Sequence, residues 1–190
     1  MIKKYLSISI TIAVTFALLS LQSCGKLASL LTFNNLKLQP GSVTVTIPAT
    51  SDTAAVLTLG SATNNYNVDS FIKATTGSTL GISNITSVKL SSCTITITSG
   101  ENTTNNFANF SSCDASFYSN NDNTPYEISI PSNPDVYSTT LTMPVDTTVE
   151  LKNYLSGSTF TYSLSGKLRR ATTVPLTCTI SYSFTMNVQG

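Results

Sequence analysis

The chain has 190 residues, of which only 10% are charged, against about 25% in an ordinary globular domain. Serine (28), threonine (31) and asparagine (16) fill the gap, so the surface must be polar without being ionic. Ten Lys and Arg against nine Asp and Glu leave a net charge of +1. That is too sparse a set of cations to displace counterions from a phosphate backbone, which argues against DNA or RNA as a partner. With no histidine, Ser-His-Asp and Cys-His catalysis and every His-containing zinc site are excluded.

Lys3 and Lys4 precede an apolar stretch from Tyr5 to Leu21 that is diluted by Ser7, Ser9, Thr11, Thr15 and Ser20. This is the layout of a signal peptide over residues 1–23. A permanent span needs about 20 predominantly apolar residues, and this run is shorter and rich in hydroxyls. It ends in Leu21-Gln22-Ser23-Cys24. These four residues resemble the lipobox of bacterial lipoproteins: Leu21 and Ser23 match the pattern, while Gln22 is bulkier and more polar than the usual residue there. The resemblance covers residues 1–24. It implies cleavage before Cys24, a diacylglyceryl group on the Cys24 sulfur, and acylation of the new amine. Three chains, each contributing about 0.8 kcal/mol per buried CH₂, hold far more firmly than a single acyl group. Gly25 rather than Asp after the cysteine implies outer-membrane sorting in a Gram-negative cell. Gly25-Lys26-Leu27-Ala28-Ser29 carries no acidic run, and the resemblance, in which such a run directs some lipoproteins to the cell surface, then implies the periplasmic face.

Residues 24–36 then read as the lipid-bearing cysteine and a tether, and residues 37–190 as one domain. From there turn signals recur about every ten residues: Gly41-Ser42, Asn64-Asn65, Ser99-Gly100, Asn120 to Asn123, Ser132-Asn133-Pro134, Gly157 and Gly166. Between them the apolar period is two. Val43, Val45 and Ile47 open the series. Val68 to Ala74 invites a short helix. In residues 88–97 the apolar set switches parity, from Val88 and Leu90 to Cys93, Ile95 and Ile97, which predicts a β-bulge near Ser91-Ser92. Tyr126, Ile128 and Ile130 alternate with polar residues. Val149 to Leu155 is ambiguous between helix and strand. Phe160, Tyr162 and Leu164 resume the period. Leu176, Cys178, Ile180, Tyr182, Phe184, Met186 and Val188 then alternate almost without interruption with Thr, Ser and Asn. Threonine suits a half-solvated pleated face. The expected fold is all-β, an antiparallel β-sandwich of eight or nine strands with one or two short helical turns.

With Cys24 assigned to lipid, Cys93, Cys113 and Cys178 remain, an odd number for an oxidising compartment. Each falls on a predicted core face. Cys93 and Cys113 are the candidate disulfide, closing a loop of about 20 residues and contributing roughly 3 kcal/mol if geometry allows; three small buried hydrophobes are the competing reading. Ser70-Phe71-Ile72-Lys73 matches the Ser-x-x-Lys motif of penicillin-recognising enzymes. A chain this rich in serine supplies about one such match by chance, and the Lys-Thr-Gly and Ser-Asp-Asn partners are missing. Asn120-Asn121-Asp122-Asn123, with Asp114 and Glu127, offers oxygens to calcium but lacks the EF-hand spacing and reads better as a hairpin turn. The nine carboxylates are dispersed along the chain. Gly166-Lys167-Leu168-Arg169-Arg170 is the one basic cluster, read as a solvated turn or a contact to head groups near the anchor. Asn84, Asn102 and Asn109 open glycosylation sequons of little weight in such a composition. Tyr66, Tyr118, Tyr126, Tyr137 and Tyr154 are the candidate stacking face for a sugar, although Tyr126 sits in an alternating set that suits the core.

The reading that joins these features is a lipid-anchored envelope lipoprotein of the outer membrane. It is expected to be non-enzymatic, with no metal or cofactor, and to act as an interaction or structural module toward an envelope protein or polysaccharide. The alternatives are a carbohydrate- or small-ligand-binding lipoprotein and, behind it, a hydrolase using carboxylates or Ser70 with Lys73.

Overall fold

A computed structural model describes residues 31–77 and 79–190. The leader, Cys24 and residues 25–30 lie outside the described residues. Among the described residues the alternating segments form nine strands: β1 (Thr32–Leu38), β2 (Ser42–Ile47), β3 (Val56–Asn65), β4 (Ile85–Ser99), β5 (Phe110–Ser119), β6 (Tyr126–Ile130), β7 (Thr140–Met143), β8 (Thr159–Leu168) and β9 (Leu176–Gln189). Two helices, α1 (Val68–Thr75) and α2 (Lys152–Leu155), and two 3₁₀ turns, Ile82–Asn84 and Phe107–Asn109, interrupt them. The strands make two antiparallel sheets, the β-sandwich that the period of two predicts.

One sheet runs β1-β9-β4-β7, with β2 also paired to β9; the other runs β3-β8-β5-β6. β1 pairs the C-terminal half of β9 (Thr32 opposite Gln189, Leu38 opposite Phe184) and β2 the N-terminal half (Ser42 opposite Ser181, Ile47 opposite Leu176). Together they fill one strand position, broken at Gln39-Pro40-Gly41, where Gly41 takes a φ of 92°. With β1 and β2 counted as one, first pairs with last, β3 with β8, β4 with β7 and β5 with β6. This nested pairing of a chain folded back on itself is a jelly roll. Thr32 to Leu36, placed in the tether by composition, already belong to the sheet.

The predicted bulge is present. Leu90 pairs Phe184 and Ser92 pairs Ser183, leaving Ser91 as the extra residue, its hydroxyl donating to the Ser183 carbonyl at 2.9 Å. A second register shift between Ile85 and Ser87 does the same job at the start of β4, so Ile85, Val88, Leu90, Cys93, Ile95 and Ile97 are all buried. Gly166 is not a turn. It lies within β8 opposite Cys113, where a Cβ would stand 2.5 Å from the Ser112 carbonyl oxygen, so the close approach of β5 requires glycine.

The core lies between the sheets. Its aromatic centre is Phe117, whose ring packs against Tyr126, Tyr154, Tyr162, Tyr182 and Phe184 at centroid distances of 5.3 to 6.4 Å. Such tilted and edge contacts suit the ring quadrupoles. α1 covers one end of the sandwich with Val68 and Ile72, four residues apart and fully buried. Asn67 caps it, accepting from the Ser70 amide at 2.8 Å. The ambiguous stretch before β8 resolves into the single turn of α2. Glu150 holds it against β4 by accepting from the Val88 amide (2.6 Å) and the Ser87 hydroxyl (2.7 Å).

Candidate functional site

Most of the chemistry-bearing residues are engaged in holding the fold. Lys73 pairs with Asp69 one helical turn away at 2.6 Å, not with Ser70, and Asp69 also accepts from the Ile82 amide; the Lys73 ammonium beside it holds the Asp69 carboxyl below the usual range. In the Asn120 to Asn123 turn, the Asn120 oxygen accepts from the Ser158 and Thr159 amides and the Asp122 oxygen from the Thr124 amide. The Asp122 bond is local to the turn and the Asn120 bonds tie the turn to the start of β8, and no group of three or more metal-ligating side chains occurs among the described residues. Asp52 accepts from the Ala54 and Ala55 amides, and Asp146 from the hydroxyl and amide of Thr148. Of the sequons, Asn109 is buried with its amide donating to the Thr104 and Ala171 carbonyls, so it holds loops together and is closed to a glycan.

The candidate Cys93–Cys113 bridge is not formed; Cys93, Cys113 and Cys178 are free and buried, as the competing reading of three small hydrophobes has it. Cys93 lies on β4 and Cys113 on β5, in opposite sheets. Packed sheets stand about 10 Å apart, beyond the roughly 4.4–6.8 Å between Cα atoms that a disulfide spans. Burial pushes each thiol up to about 12, so none is a ready nucleophile.

The five tyrosines do not form one face. Tyr126 and Tyr154 meet around Phe117 as half-buried parts of the core, Tyr66 is half-buried against the core, Tyr118 alternates with the core residues of β5, and Tyr137 stands exposed in the β6–β7 loop.

The basic cluster is neither a solvated turn nor a free patch. Arg169 reaches inward, its guanidinium donating to the Ala108 carbonyl (2.9 Å) and the Asn133 carbonyl (2.6 Å). Arg170 grips Asp135 with two bonds of 2.7 and 2.8 Å, and holds that carboxyl below the usual range. These arginines tie together the β4–β5, β6–β7 and β8–β9 connections, which gather at one end of the sandwich. Asn105, Asn106, Asn109 and Asn133 are all buried there. The Asn133 amide donates to the Phe107 and Phe110 carbonyls at 2.8 and 3.0 Å, and Asn105 exchanges bonds with Thr173 of the β8–β9 connection. A Thr50–Thr172 bridge adds the β2–β3 connection.

On this end lies a depression of about 350 Å³, lined by Phe107, Asn133, Pro134, Val136, Tyr137, Ser138, Thr140 and Leu141. Phe107 and Leu141 are buried beneath it, whereas Val136 (67% exposed) and Tyr137 (56%) stand out from its rim. An apolar pair held out to solvent is the feature to explain. Sequence reasoning singled out Tyr137 but missed Val136; the signal was an apolar dipeptide inside a Ser, Asn and Pro turn. A second hollow, about 260 Å³, opens where β1 breaks into β2, lined by Gln39, Gly41, Ser42 and Ser181 to Ser183.

No family model matches the chain, and no curated protein matches it. Similar solved structures include chains of viruses and bacteriophages. A chain of infectious bursal disease virus strain Gt is 11% identical with a TM-score of 0.36, over 84% of this chain and 33% of that one. A chain of desmodium yellow mottle tymovirus is 9% identical with a TM-score of 0.30, over 83% and 90%. A chain of the acidic stable capsid of Helicobacter pylori bacteriophage KHP30 is 7% identical with a TM-score of 0.28, over 84% and 100%. The chain thus spans about a third of the bursal disease virus chain.

Proposed function

We propose that the protein is an envelope lipoprotein, held to the outer membrane by lipid on Cys24, whose sandwich is a non-enzymatic interaction module. The observation that carries the reading is Leu21-Gln22-Ser23-Cys24 at the end of a signal-like stretch. The geometry of the domain is compatible with it. β1 enters the sheet at Thr32 opposite Gln189, and the Gly190 amide bonds the Leu31 carbonyl, so the chain joins the sandwich at the end opposite the gathered loops. Seven residues from Cys24 to Leu31 reach at most about 25 Å. The 14 residues of β9 run to the other end, about 40 Å away at ~3.2 Å per residue. An anchored Cys24 is therefore attached at the end of the sandwich remote from the arginine- and asparagine-stitched loops. The engagement of Lys73, Asp69, Asp135 and Asn120 in structural bonds supports a binding role over a hydrolytic one.

The test is expression of the full chain in a Gram-negative host with labelled palmitate, beside Cys24→Ser. Label on the wild type and none on the variant, with an intact mass matching a chain that starts at an acylated Cys24, supports the anchor. An uncleaved leader or an unmodified Cys24 refutes it.

A further inference from the structure

The β6–β7 loop is held rigidly while its tip stays exposed. Asn133 fixes one side through Phe107 and Phe110, Arg170 fixes Asp135, and the other side is tied by the Phe107 amide to the Ser138 carbonyl (2.9 Å) and the Ile97 amide to the Thr139 carbonyl (2.8 Å). Val136 and Tyr137 are thus presented on a braced loop, so little conformational freedom is lost when they are covered.

The depression beneath them excludes several ligand classes by its chemistry. No charged side chain lines it, and the neighbouring cations, Arg169 and Arg170, are already spent on carbonyls and on Asp135. An anionic or phosphorylated ligand would find no free counter-charge. What remains is an exposed aromatic ring, an apolar floor of Phe107 and Leu141, and a rim bearing the hydroxyls of Tyr137 and Thr140, the Ser138 hydroxyl being engaged by the Thr140 carbonyl and amide. A pyranose ring has the complementary surface: an apolar C–H face for the phenol ring and hydroxyls around its edge for the rim. At about 350 Å³ the depression sits at the small end of ligand sites, roughly 300–1,000 Å³.

We propose that this depression is a binding site for a neutral glycan, with Tyr137 as the stacking platform and Val136 extending the apolar contact. It deepens the interaction-module reading by naming the surface and the chemical class it takes, and it does not depend on the lipid. Isothermal titration of the purified full chain in detergent against maltohexaose, cellohexaose, N-acetylchitohexaose and mannohexaose tests it, with polygalacturonate as the anionic comparator. At least one neutral hexasaccharide binds. Tyr137→Ala weakens that binding about tenfold, equivalent to ~1.4 kcal/mol, whereas Tyr137→Phe, which keeps the ring, stays within about threefold. Tyr118→Ala, on β5, leaves affinity unchanged. Tyr137 is more than half exposed, so its truncation does not threaten folding, and unchanged thermal melting verifies this. Absence of heat with every neutral sugar, binding indifferent to Tyr137→Ala, or preference for polygalacturonate overturns the assignment. The intact mass of the same preparation reports the state of Cys24 separately, so failure of the glycan site and failure of the anchor are distinct results.

Discussion

Phe184 and Thr185 are adjacent on β9, and the sandwich predicts opposite outcomes for the same substitution at each. Phe184 is 1% exposed, pairs with Leu38 on one side and Leu90 on the other, and packs its ring on Phe117 at 5.5 Å. Phe184→Asp removes a buried aromatic side chain, costing about 3–5 kcal/mol. It also leaves an unpaired carboxylate in an apolar core, at a cost of several kcal/mol more. Together these consume most or all of a stability of about 5–15 kcal/mol. Thr185 points the other way, directly opposite Lys37 on β1 and Lys89 on β4. Thr185→Asp places a carboxylate between two ammonium groups on a partly solvated face, a gain of about 0.2–1 kcal/mol per cross-strand pair. A gain of that size raises the melting temperature by roughly 2–4 °C for a chain this long, and salt at molar concentration removes it. The assay is thermal and urea unfolding followed by circular dichroism, at low and high salt. Phe184→Asp is expected to be unfolded at 25 °C, with Phe184→Leu folded but weakened. Equal tolerance of the two Asp variants, or a stabilising effect of Thr185→Asp that salt leaves intact, refutes the assigned facing.

Gly100 has a φ of 87° and a Cβ there would collide with the Pro175 carbonyl, so Gly100→Ala is expected to cost at least about 1–2 kcal/mol in urea unfolding; a neutral result shows the turn to be wrongly drawn. The Tyr162 hydroxyl is buried with no hydrogen-bond partner among the described residues, so Tyr162→Phe is expected to raise stability by about 1 kcal/mol, and a loss of that size contradicts the burial. Cys93, Cys113 and Cys178, with thiols pushed up to about 12, resist maleimide at pH 8 in the native chain and react together on unfolding; prompt labelling of one of them disproves its burial. At the acid end, Asp135, Asp69, Asp52 and Asp146 all lie below their ordinary range when folded, the Arg170 pair being the chief cause for Asp135 and the Lys73 pair for Asp69. The unfolded chain therefore takes up protons first, and stability present above about pH 4 falls as pH drops through the folded values. Unfolding curves that improve on acidification refute the sign.

The strands were legible because each has one dry face. In β9 seven apolar residues at every second position left no other reading, and the same parity rule located the extra residue at Ser91 from the switch between Leu90 and Cys93. Parity says which way a side chain points and not which sheet it points from. Cys93 and Cys113 both face inward, as read, but from opposite walls, and only the strand order shows that the width of the sandwich separates them. Gly166 misled for a similar reason. Glycine in sequence signals freedom of φ, whereas here it answers to the Ser112 carbonyl on a neighbouring strand, a contact across more than fifty residues of chain. The candidate site was half visible: Tyr137 stood out by type, but its exposure depends on Asn133, Asp135 and Arg170, and none of those bonds is local.

The composition itself acquires a cause at the loop-bearing end. A sheet satisfies its own peptide groups through the ladder, but where four connections converge, carbonyls and amides meet without a register to pair them. Each one left buried and unpaired costs about 1–3 kcal/mol. A carboxamide presents a donor and an acceptor on one short neutral group, so Asn106 can accept from Ala108 while donating to Asn102, and Asn109 can donate to Thr104 and Ala171 at once. Lys or Glu in those positions would bring a charge into the interior that the sparse ionic complement could seldom neutralise. Arg169 and Arg170 are the exceptions that follow the same rule, since Asp135 and a ring of carbonyls surround them. The abundance of asparagine, which in sequence looks like generic turn chemistry, is thus partly a means of closing one end of a jelly roll, and Asn133 does so while adding no charge to the lining of the depression beside Tyr137.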